Sequence, residues 1–362
     1  MTQTGLMRDT QWDRALFAIA GALCLIGVLA LISACTTLNP MLTVRQAMWI
    51  VVGIGLSLIV ASSSYTRWID LGVWLYLGAL LLLAVVELAG TVKLGAARWI
   101  TVFGFSLQPS ELAKLATVCC LARYLAAQPS PLPTRRLVIS AALAGVPALV
   151  VFLQPDLGSS SIIAAIWLGM VLVAGLSRRH LAGMAVASLA VLPLAWHGLK
   201  EYQRLRLLAF LNPHLDPLGA GYTIIQSQIA IGSGRLLGRG WLAGTQNQLN
   251  FLPERHADFL YSVIGEEWGF VGAVTVVGLF GCLLWRATRI AVGNREPQGR
   301  FVTMGVVVWL GYQAVINMGM VLGLLPVVGV PLPLMSYGGS AMVVTWLALG
   351  LLQSVRRFGT RF

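Results

Sequence analysis

The sequence predicts an all-α membrane protein with about ten transmembrane helices, and three observations lead to this prediction. Of the 362 residues, 57% are hydrophobic and 10% are charged, and the mean hydropathy is +0.81. Soluble domains are roughly 45–50% apolar and about 25% charged. The apolar residues form runs close to the ~20 residues that cross a bilayer as a helix, and most charged residues lie between these runs. A water-soluble fold is therefore excluded.

Ten apolar runs meet the length criterion. They lie near residues 15–35, 44–63, 68–90, 109–126, 137–153, 157–175, 181–198, 262–285, 301–325 and 339–355. The first run is too long for a signal-peptide core and lacks a small-residue cleavage site before a soluble domain, so we expect it to stay as the first span. An even number of spans places both termini on one side of the membrane.

The distribution of basic residues predicts which side that is. With the termini inside, fifteen arginines fall on the inner segments, whereas the short outer segments hold only Arg45, Lys93, Arg98 and Lys114. Short loops rich in Lys and Arg stay in the cytoplasm, so we expect both termini to be cytoplasmic. The polar stretch 199–258, between the seventh and eighth runs, is then a large extracytoplasmic loop, and long loops are exempt from the rule. We expect residues 1–362 to form a single integral membrane domain.

The net charge of +12 does not indicate nucleic acid as a partner. That interpretation requires the basic residues to form one patch or stripe, whereas here they separate apolar runs, and the predicted partner is the lipid bilayer. The five cysteines lie in or at the ends of apolar runs without C-x-x-C or Cys/His spacing. We predict no disulfide and no metal from them.

Ionisable residues near the membrane are informative, because each Asp, Lys or Arg at a helix centre costs roughly 2.5–3.5 kcal/mol on insertion scales. On the predicted topology they all lie toward the outer side, where they can line one outward-facing cavity or sit at the lipid headgroups. These residues are Glu87, Glu111, Lys114, Asp156, Asp258, Glu266 and Glu267.

Two of these positions open predicted helices. Glu111 and Lys114 are three residues apart and share a helix face, close enough for an ion pair, and Pro109 suits the first position of that helix. Asp156 follows Gln154-Pro155 at the start of another. Helix N-termini are natural anion sites, and in membrane proteins they often point at a substrate. Alternatively, the pair only joins helices and Asp156 is only a helix cap.

Three outer segments are also distinctive. Residues 325–333 contain three prolines, which forbid a continuous helix; such backbone lies against a cavity or forms a tight turn. Residues 202–211 are spaced as an amphipathic interfacial helix. The glycine- and amide-rich stretch 219–250 suits a hydroxyl-rich ligand or an exposed linker. Glu254, His256 and Asp258 alternate as metal ligands on an extended segment would, but a dedicated site normally has three or four converging ligands, so no metal is predicted.

Together these motifs resemble the SEDS family of bacterial polytopic proteins (shape, elongation, division and sporulation), and within it the RodA branch. The matching stretches are GAARWI (95–100), QPSELAK (108–114), QPDLG (154–158), residues 216–234, FLPERHADF (251–259), NMGM (317–320), GLLP (323–326), PLP (331–333) and SYGGS (336–340). They cover nearly the whole chain in order. Arg255-His256 and residues 240–246 resemble the elongation branch. Two positions depart from the pattern: Ala257, where many relatives have Thr, and Asn250, where relatives often have an acid.

The resemblance implies a peptidoglycan glycosyltransferase of the bacterial cytoplasmic membrane. Such an enzyme polymerises lipid II outside the membrane during cell-wall elongation and rod-shape maintenance, with undecaprenyl diphosphate as the leaving group. Its implied partners are a class B penicillin-binding protein, which acts as the transpeptidase, and the elongation machinery. No cofactor is predicted, and a requirement for a divalent cation is left open.

This chemistry requires a base for the acceptor hydroxyl and cationic or N–H groups for the departing diphosphate. With the resemblance, it assigns Asp258 as the base and places Lys114 and Arg98 near the diphosphate. Glu111 would orient Lys114, and Trp99 would line the sugar site. The other substrate-binding candidates are Asp156, Arg204, Arg206 and Ser336.

Three alternatives stay open at this point. A flippase for lipid II would share the helix breaks and the intramembrane charge. A division-type polymerase similar to FtsW would share most of the motifs, and a noncatalytic scaffold for the transpeptidase would need no base. The enzyme is favoured over the flippase because the carboxylates cluster on one side of the membrane, whereas a flippase needs polar groups along the whole path.

Overall fold

The computed structural model describes residues 12–36, 39–89, 91–93, 96–102, 105–219 and 221–359. Helices dominate this part of the chain, and each of the ten predicted apolar runs forms one of at least 18 residues. These ten helices are α1 (Arg14–Cys35), α2 (Met41–Ser62), α3 (Tyr65–Ala89), α4 (Pro109–Ala126), α5 (Thr134–Leu153), α6 (Leu157–Ala174), α7 (Arg178–Gly198), α11 (Leu260–Val292), α12 (Pro297–Val321) and α13 (Gly339–Phe358). Short helices α8 to α10 lie between α7 and α11. The prediction of an all-α polytopic membrane protein is confirmed.

Within the described residues, seven helices are long and apolar enough to cross a membrane: α1, α2, α3, α5, α6, α11 and α12. The other three predicted runs, α4, α7 and α13, are helical but are not among these seven. In α4 the reason is its charge, since it carries Glu111, Lys114 and Arg123 within 18 residues. The protein is a multi-pass membrane protein by these helices.

A small antiparallel sheet lies between α3 and α4, and the sequence analysis did not predict it. Its strands are β1 (Thr91–Lys93), β2 (Ala96–Val102) and β3 (Phe105–Leu107), in the order β1-β2-β3. Thr91 pairs with Trp99, and Ile100 pairs with Leu107. Strands of three to seven residues are too short for a convincing alternation of polar and apolar positions, so only the pairing reveals them.

The segment 199–258, between α7 and α11, is largely helical. The helix predicted for 202–211 is confirmed as α8 (Glu201–Leu211), and its place at the membrane interface stays a prediction. The expected irregular stretch also contains a 3₁₀ turn (Pro213–Leu215), α9 (Tyr222–Ser233) and α10 (Thr245–Gln248). Isolated short helices are marginal in water and depend on tertiary packing, which explains why the local pattern did not reveal them.

A break in α11 holds the segment 199–258 in place. Gly269 has φ +66°, which interrupts the helical ladder and frees main-chain groups on both sides. The N–H of Phe270 donates to the Arg235 carbonyl at 2.9 Å, and the N–H of Gly240 donates to the Glu267 carbonyl at 3.0 Å. A Cβ on Gly269 would lie 2.3 Å from the Gly238 nitrogen. Glycine is therefore required at position 269, where the segment 199–258 contacts α11.

Helix α4 lies in the interior, where it packs against α3, α6 and α12. Helices α2 and α13 approach closely through small residues: a Cβ on Gly350 would lie 2.5 Å from the Ser57 carbonyl oxygen. Small residues at helix interfaces are the usual way for membrane helices to pack. Between α12 and α13 the chain is non-helical, as predicted, and it buries Val327, Val330 and Leu332.

Candidate active site

The two predicted helix starts at Pro109 and Asp156 are confirmed, and the structure places them side by side. Pro109 occupies the first turn of α4, and Asp156 caps α6. The Oδ1 atom of Asp156 accepts a hydrogen bond from the Ser159 N–H at 3.0 Å, and Oδ2 accepts one from Gln108 Nε2 at 3.3 Å, across from α6 to the start of α4. The cap interpretation of Asp156 is confirmed, and its contact with substrate stays a prediction.

The Glu111–Lys114 ion pair forms as the spacing indicates. Lys114 Nζ lies 2.8 Å from Glu111 Oε2, donates to Gln313 Oε1 at 3.1 Å and lies 5.2 Å from the centre of the Trp309 ring. Both charged side chains are almost fully buried, with 1% and 2% exposure. The ammonium group is thus enclosed by protein, and its contact with the diphosphate stays a prediction.

Arg98 projects from β2 onto the main chain that leads into α6. Its guanidinium donates to the carbonyl oxygen of Gln154 at 3.0 Å and to that of Pro155, and Nη2 lies 3.5 Å from the Tyr202 hydroxyl on α8. Arg98 and Arg206 line the same small cavity. The neighbouring Trp99 is half-buried in β2. Two arginines from distant parts of the chain are thereby brought to one cleft.

The remaining candidates have different surroundings. Arg204 donates to the carbonyl oxygens of Trp196 at 3.1 Å and of His197 at 2.9 Å, at the end of α7. Ser336 is buried, and its Oγ accepts the Leu332 N–H at 2.9 Å. Both side chains satisfy main-chain groups here, so their roles in binding substrate stay predictions.

Asp258 lies two residues before α11, outside the spanning helix, and is half-buried. Its main-chain oxygen accepts a hydrogen bond from Asn317 Nδ2 at 2.8 Å. Its carboxyl group lies against Gly329, since a Cβ on that glycine would be 3.3 Å from Oδ2 of Asp258. The segment between α12 and α13 therefore forms one wall around this carboxyl group.

Burial and, to a smaller extent, the negative charge of Glu254 raise the pKa of Asp258 to about 7. Arg206 and Arg98 oppose this rise in the pKa, whereas Asp156 adds to it. These charges act on Asp258 only because the fold brings the residues near one another. Four of the predicted site residues, from four separate parts of the chain, thus share one site.

Two further carboxylates, Glu266 and Glu267, are buried and accept hydrogen bonds from main-chain groups. Glu266 accepts hydrogen bonds from the N–H groups of Gln246 at 2.9 Å and Asn247 at 3.2 Å, and Glu267 accepts from the Leu242 N–H at 3.3 Å. The two carboxylates therefore tie α11 to residues 242–247.

The possible metal site is not assembled. His256 Nε2 lies 3.9 Å from Glu254 Oε2. Within the described part of the chain, no three His, Cys, Asp or Glu side chains converge as metal ligands. Dedicated sites normally have three or four converging ligands, and these two side chains alone do not provide them.

The sequence analysis missed four polar residues around this site. Tyr202 and Gln203 of α8 both contact the Pro155 carbonyl, at 3.2 and 3.3 Å. Gln313 and Asn317 are buried in α12. For Gln313 and Asn317 a signal was available, because amides in an apolar run indicate buried polar groups that need partners.

A multi-pass helical membrane protein in which two arginines line a small cavity and a carboxyl group with a raised pKa lies near them has the features of a membrane enzyme. A family model described as a cell cycle protein, for FtsW, RodA and SpoVE, matches residues 13–361. The chain belongs to this family, and the resemblance found in the sequence is confirmed.

Individual relatives agree with this assignment. The chain is 43% identical over 283 residues to the peptidoglycan glycosyltransferase MrdB of Escherichia coli K12, covering 78% of this chain and 76% of that protein. It is 38% identical over 315 residues to the probable peptidoglycan glycosyltransferase FtsW of Geobacter metallireducens, covering 86% and 84%.

Solved structures share the whole fold. A chain of a peptidoglycan synthase complex, described as coordinating polymerization and crosslinking, matches with a TM-score of 0.84 and 35% identity, over 96% of this chain and 98% of that one. The rod-shape-determining protein RodA of Thermus thermophilus matches with a TM-score of 0.72 and 31% identity, over 96% and 97%.

Proposed function

We propose that this protein polymerises lipid II into glycan strands at the outer face of the bacterial cytoplasmic membrane during cell elongation. Its enzyme class is glycosyltransferase, as in its family relatives. The observation that carries the proposal is the Asp258 carboxyl group, which has a pKa raised to about 7 and lies near the positive charges of Arg98 and Arg206. A general base is most effective when its pKa lies near the working pH.

The proposed reaction is a displacement at the sugar carbon that carries the diphosphate. The Asp258 carboxylate takes the proton of an acceptor sugar hydroxyl, and the hydroxyl oxygen forms the new glycosidic bond. The bond from that carbon to the diphosphate oxygen breaks, and its electron pair leaves with undecaprenyl diphosphate. Arg98 and Arg206 stabilise the charge that develops on the leaving group, and Trp99 lines the sugar site. Asp258 then returns its proton to water.

Lys114 has a longer-range role in this scheme. Its ammonium group is enclosed and paired with Glu111, so it adds no net charge to the cleft. The N-terminus of α4, where this pair lies, contributes main-chain N–H groups and a positive dipole end that favour an anionic substrate. The pair stabilises that helix end beneath the cleft.

We further propose cytoplasmic termini and a class B penicillin-binding protein as the partner. A related chain belongs to a complex that coordinates polymerization and crosslinking, and a transpeptidase supplies crosslinking. The topology is testable with single cysteines at positions 216 and 295 in a background without the five native cysteines. A membrane-impermeant reagent should label position 216 in intact cells and position 295 only after lysis. The reverse pattern would contradict the topology.

The activity test uses purified full-length protein with lipid II, with and without its transpeptidase partner, and gel analysis of the products. We expect a ladder of glycan strands, and none from Asp258→Asn. Transport of lipid II across vesicle membranes without any ladder would support the flippase instead. Complementation of an elongation mutant and a division mutant separates the two polymerase branches.

A further inference from the structure

Helix α12 carries two buried amides one turn apart, Gln313 and Asn317, with exposures of 2% and 0%. Residues four apart lie on the same helix face. A buried amide without partners costs free energy, and native proteins therefore pair such groups. The partners of these two side chains show what they do.

Asn317 joins two segments that are distant in the sequence. Its Nδ2 atom donates to the main-chain oxygen of Asp258 at 2.8 Å and to that of Val330 at 2.7 Å. Because both acceptors are carbonyl oxygens, only the NH₂ end of the amide can face them. One side chain thus fixes the entrance of α11 against the wall between α12 and α13.

Gln313 holds the same wall one turn earlier in α12. Its Nε2 atom donates to the Pro331 carbonyl at 2.9 Å, while Oε1 accepts from Lys114 Nζ at 3.1 Å and from Trp309 Nε1 at 2.8 Å. Gln313 therefore contacts both the Lys114 ammonium group and the main chain of Pro331. A continuous set of contacts leads from the buried ion pair to the wall beside Asp258.

The wall sets the position of the Asp258 carboxyl group. Gly329, with φ +70°, precedes Val330, and a Cβ on it would lie 3.3 Å from Asp258 Oδ2. The carboxyl group thus packs against the residue next to the one that Asn317 holds. Asn317 controls both the main chain that carries this carboxyl group and the surface that it touches.

We propose that Asn317 is a positioning residue for glycosyl transfer, which holds Asp258 and residues 329–331 in the arrangement that aims the carboxyl group into the cleft. Gln313 supports it and links this arrangement to Lys114. The inference rests on the proposed role of Asp258 as the base.

The test compares two deletions of a buried amide in the full-length purified protein. Asn317→Leu removes the hydrogen bonds and keeps the branching and the number of heavy atoms of the side chain. Gln353→Leu is the matched control, because Gln353 is likewise buried, with 1% exposure, and its side-chain amide donates to the main-chain oxygen of Asp13 at 2.7 Å. A purely structural role predicts similar effects of both changes on thermal stability and on activity.

We expect Asn317→Leu to lower kcat about 10–100-fold, since a misplacement near 1 Å can cost about 10²-fold, with little change in KM. Gln353→Leu should keep a nearly normal kcat. Normal kcat in folded Asn317→Leu would overturn the proposal. If that variant does not fold, Asn317→Asp decides: a neutral carboxyl group donates only one hydrogen bond, so kcat should fall, and unchanged kcat would again overturn the proposal.

A second readout does not depend on activity. Carbodiimide modifies protonated carboxyl groups, and mass spectrometry reports its rate at Asp258 as a function of pH. In Asn317→Leu we expect the midpoint of this modification to move at least half a pH unit below the wild-type value, because the Asp258 carboxyl group becomes more exposed to solvent. The charged residues that act on it stay the same, and these are Glu254, Arg206, Asp156 and Arg98. An unchanged midpoint would contradict the proposal.

The two readouts separate this inference from the proposed function. A normal product ladder from Asp258→Asn would remove the base, whatever Asn317 does to the carbodiimide midpoint. A lost ladder in Asp258→Asn with normal kcat and midpoint in Asn317→Leu would refute the positioning role alone.

Discussion

Glu111 and Asp258 are both carboxylates that the sequence predicts on the outer side, but the fold gives them opposite environments. Glu111 is 2% exposed and lies 2.8 Å from Lys114, which neutralises it inside the helix bundle. Asp258 is half-buried beside a cleft, and its nearby charges include both signs. No salt bridge to Asp258 is found among the described residues.

This difference favours a structural role for Glu111 and supports the proposed role of Asp258 as the base. A buried ion pair adds little net stability to the fold. Removal of one partner is nevertheless costly, because it leaves an uncompensated buried charge. A carboxyl group without a fixed counter-ion, whose pKa burial raises to about 7, can exchange a proton at physiological pH. The three predictions below test this contrast.

The largest effect is expected from Asp258→Asn. The substitution keeps the shape of the side chain but removes its ability to accept a proton. The rate of glycan polymerisation should therefore fall about 10²–10⁴-fold, the usual range for general acid–base catalysis. Thermal stability and co-purification with the transpeptidase should stay near wild-type values. Glu254→Gln, a nearby exposed carboxylate, is the control and should retain most of its rate at pH 8. A near-normal rate in folded Asp258→Asn would falsify the assignment.

The next effect concerns the enclosed pair. Lys114→Ala leaves Glu111 buried without its partner, which typically costs about 3–5 kcal/mol, and both the melting temperature and the activity should fall. The double variant Glu111→Ala/Lys114→Ala should lose less than the sum of the two single losses, because the unpaired charge is gone. Thermal unfolding in detergent and polymerisation rates measure both. Purely additive losses would show that the two residues act independently.

The smallest effect is a shift in the pH profile. Because the base form of Asp258 is lost as pH falls through about 7, kcat/KM should decline on the acid side with an apparent pKa near that value. Arg206→Gln removes a charge that lowers this pKa, so the acid limb should move to higher pH. Glu254→Gln removes a charge that raises it, so the limb should move to lower pH. Each shift should be on the order of a few tenths of a pH unit for charges acting across solvent. Shifts of the same sign in both variants would contradict the assignment of this limb to Asp258.

Much of this architecture was predictable because its causes are local. The ten apolar runs became helices, since length and hydropathy are read within each segment. Pro109 and Asp156 marked two helix starts through capping chemistry that involves only neighbouring residues. The spacing of Glu111 and Lys114 sufficed for their ion pair, because three residues along a helix bring two side chains together.

Other features needed the folded chain. Nothing local indicates that Lys114 is enclosed by Gln313 and Trp309, since these lie about 200 residues further along. The short strands depend on their pairing, and α9 depends on packing against α11. In each case the deciding partner is distant in the sequence.

The sequence by itself determined that the chain lies in a bilayer, that its carboxylates gather toward one predicted side, and that Asp258 and its motif resemble a glycosyltransferase family. Only the tertiary structure decided which carboxyl group is enclosed beside a lysine and which is half-buried near two arginines. The physical reason is that hydropathy and capping act over one or two helical turns. The environment of Asp258, in contrast, depends on a hydrogen bond from Asn317, 59 residues away, and on charges from separate parts of the chain.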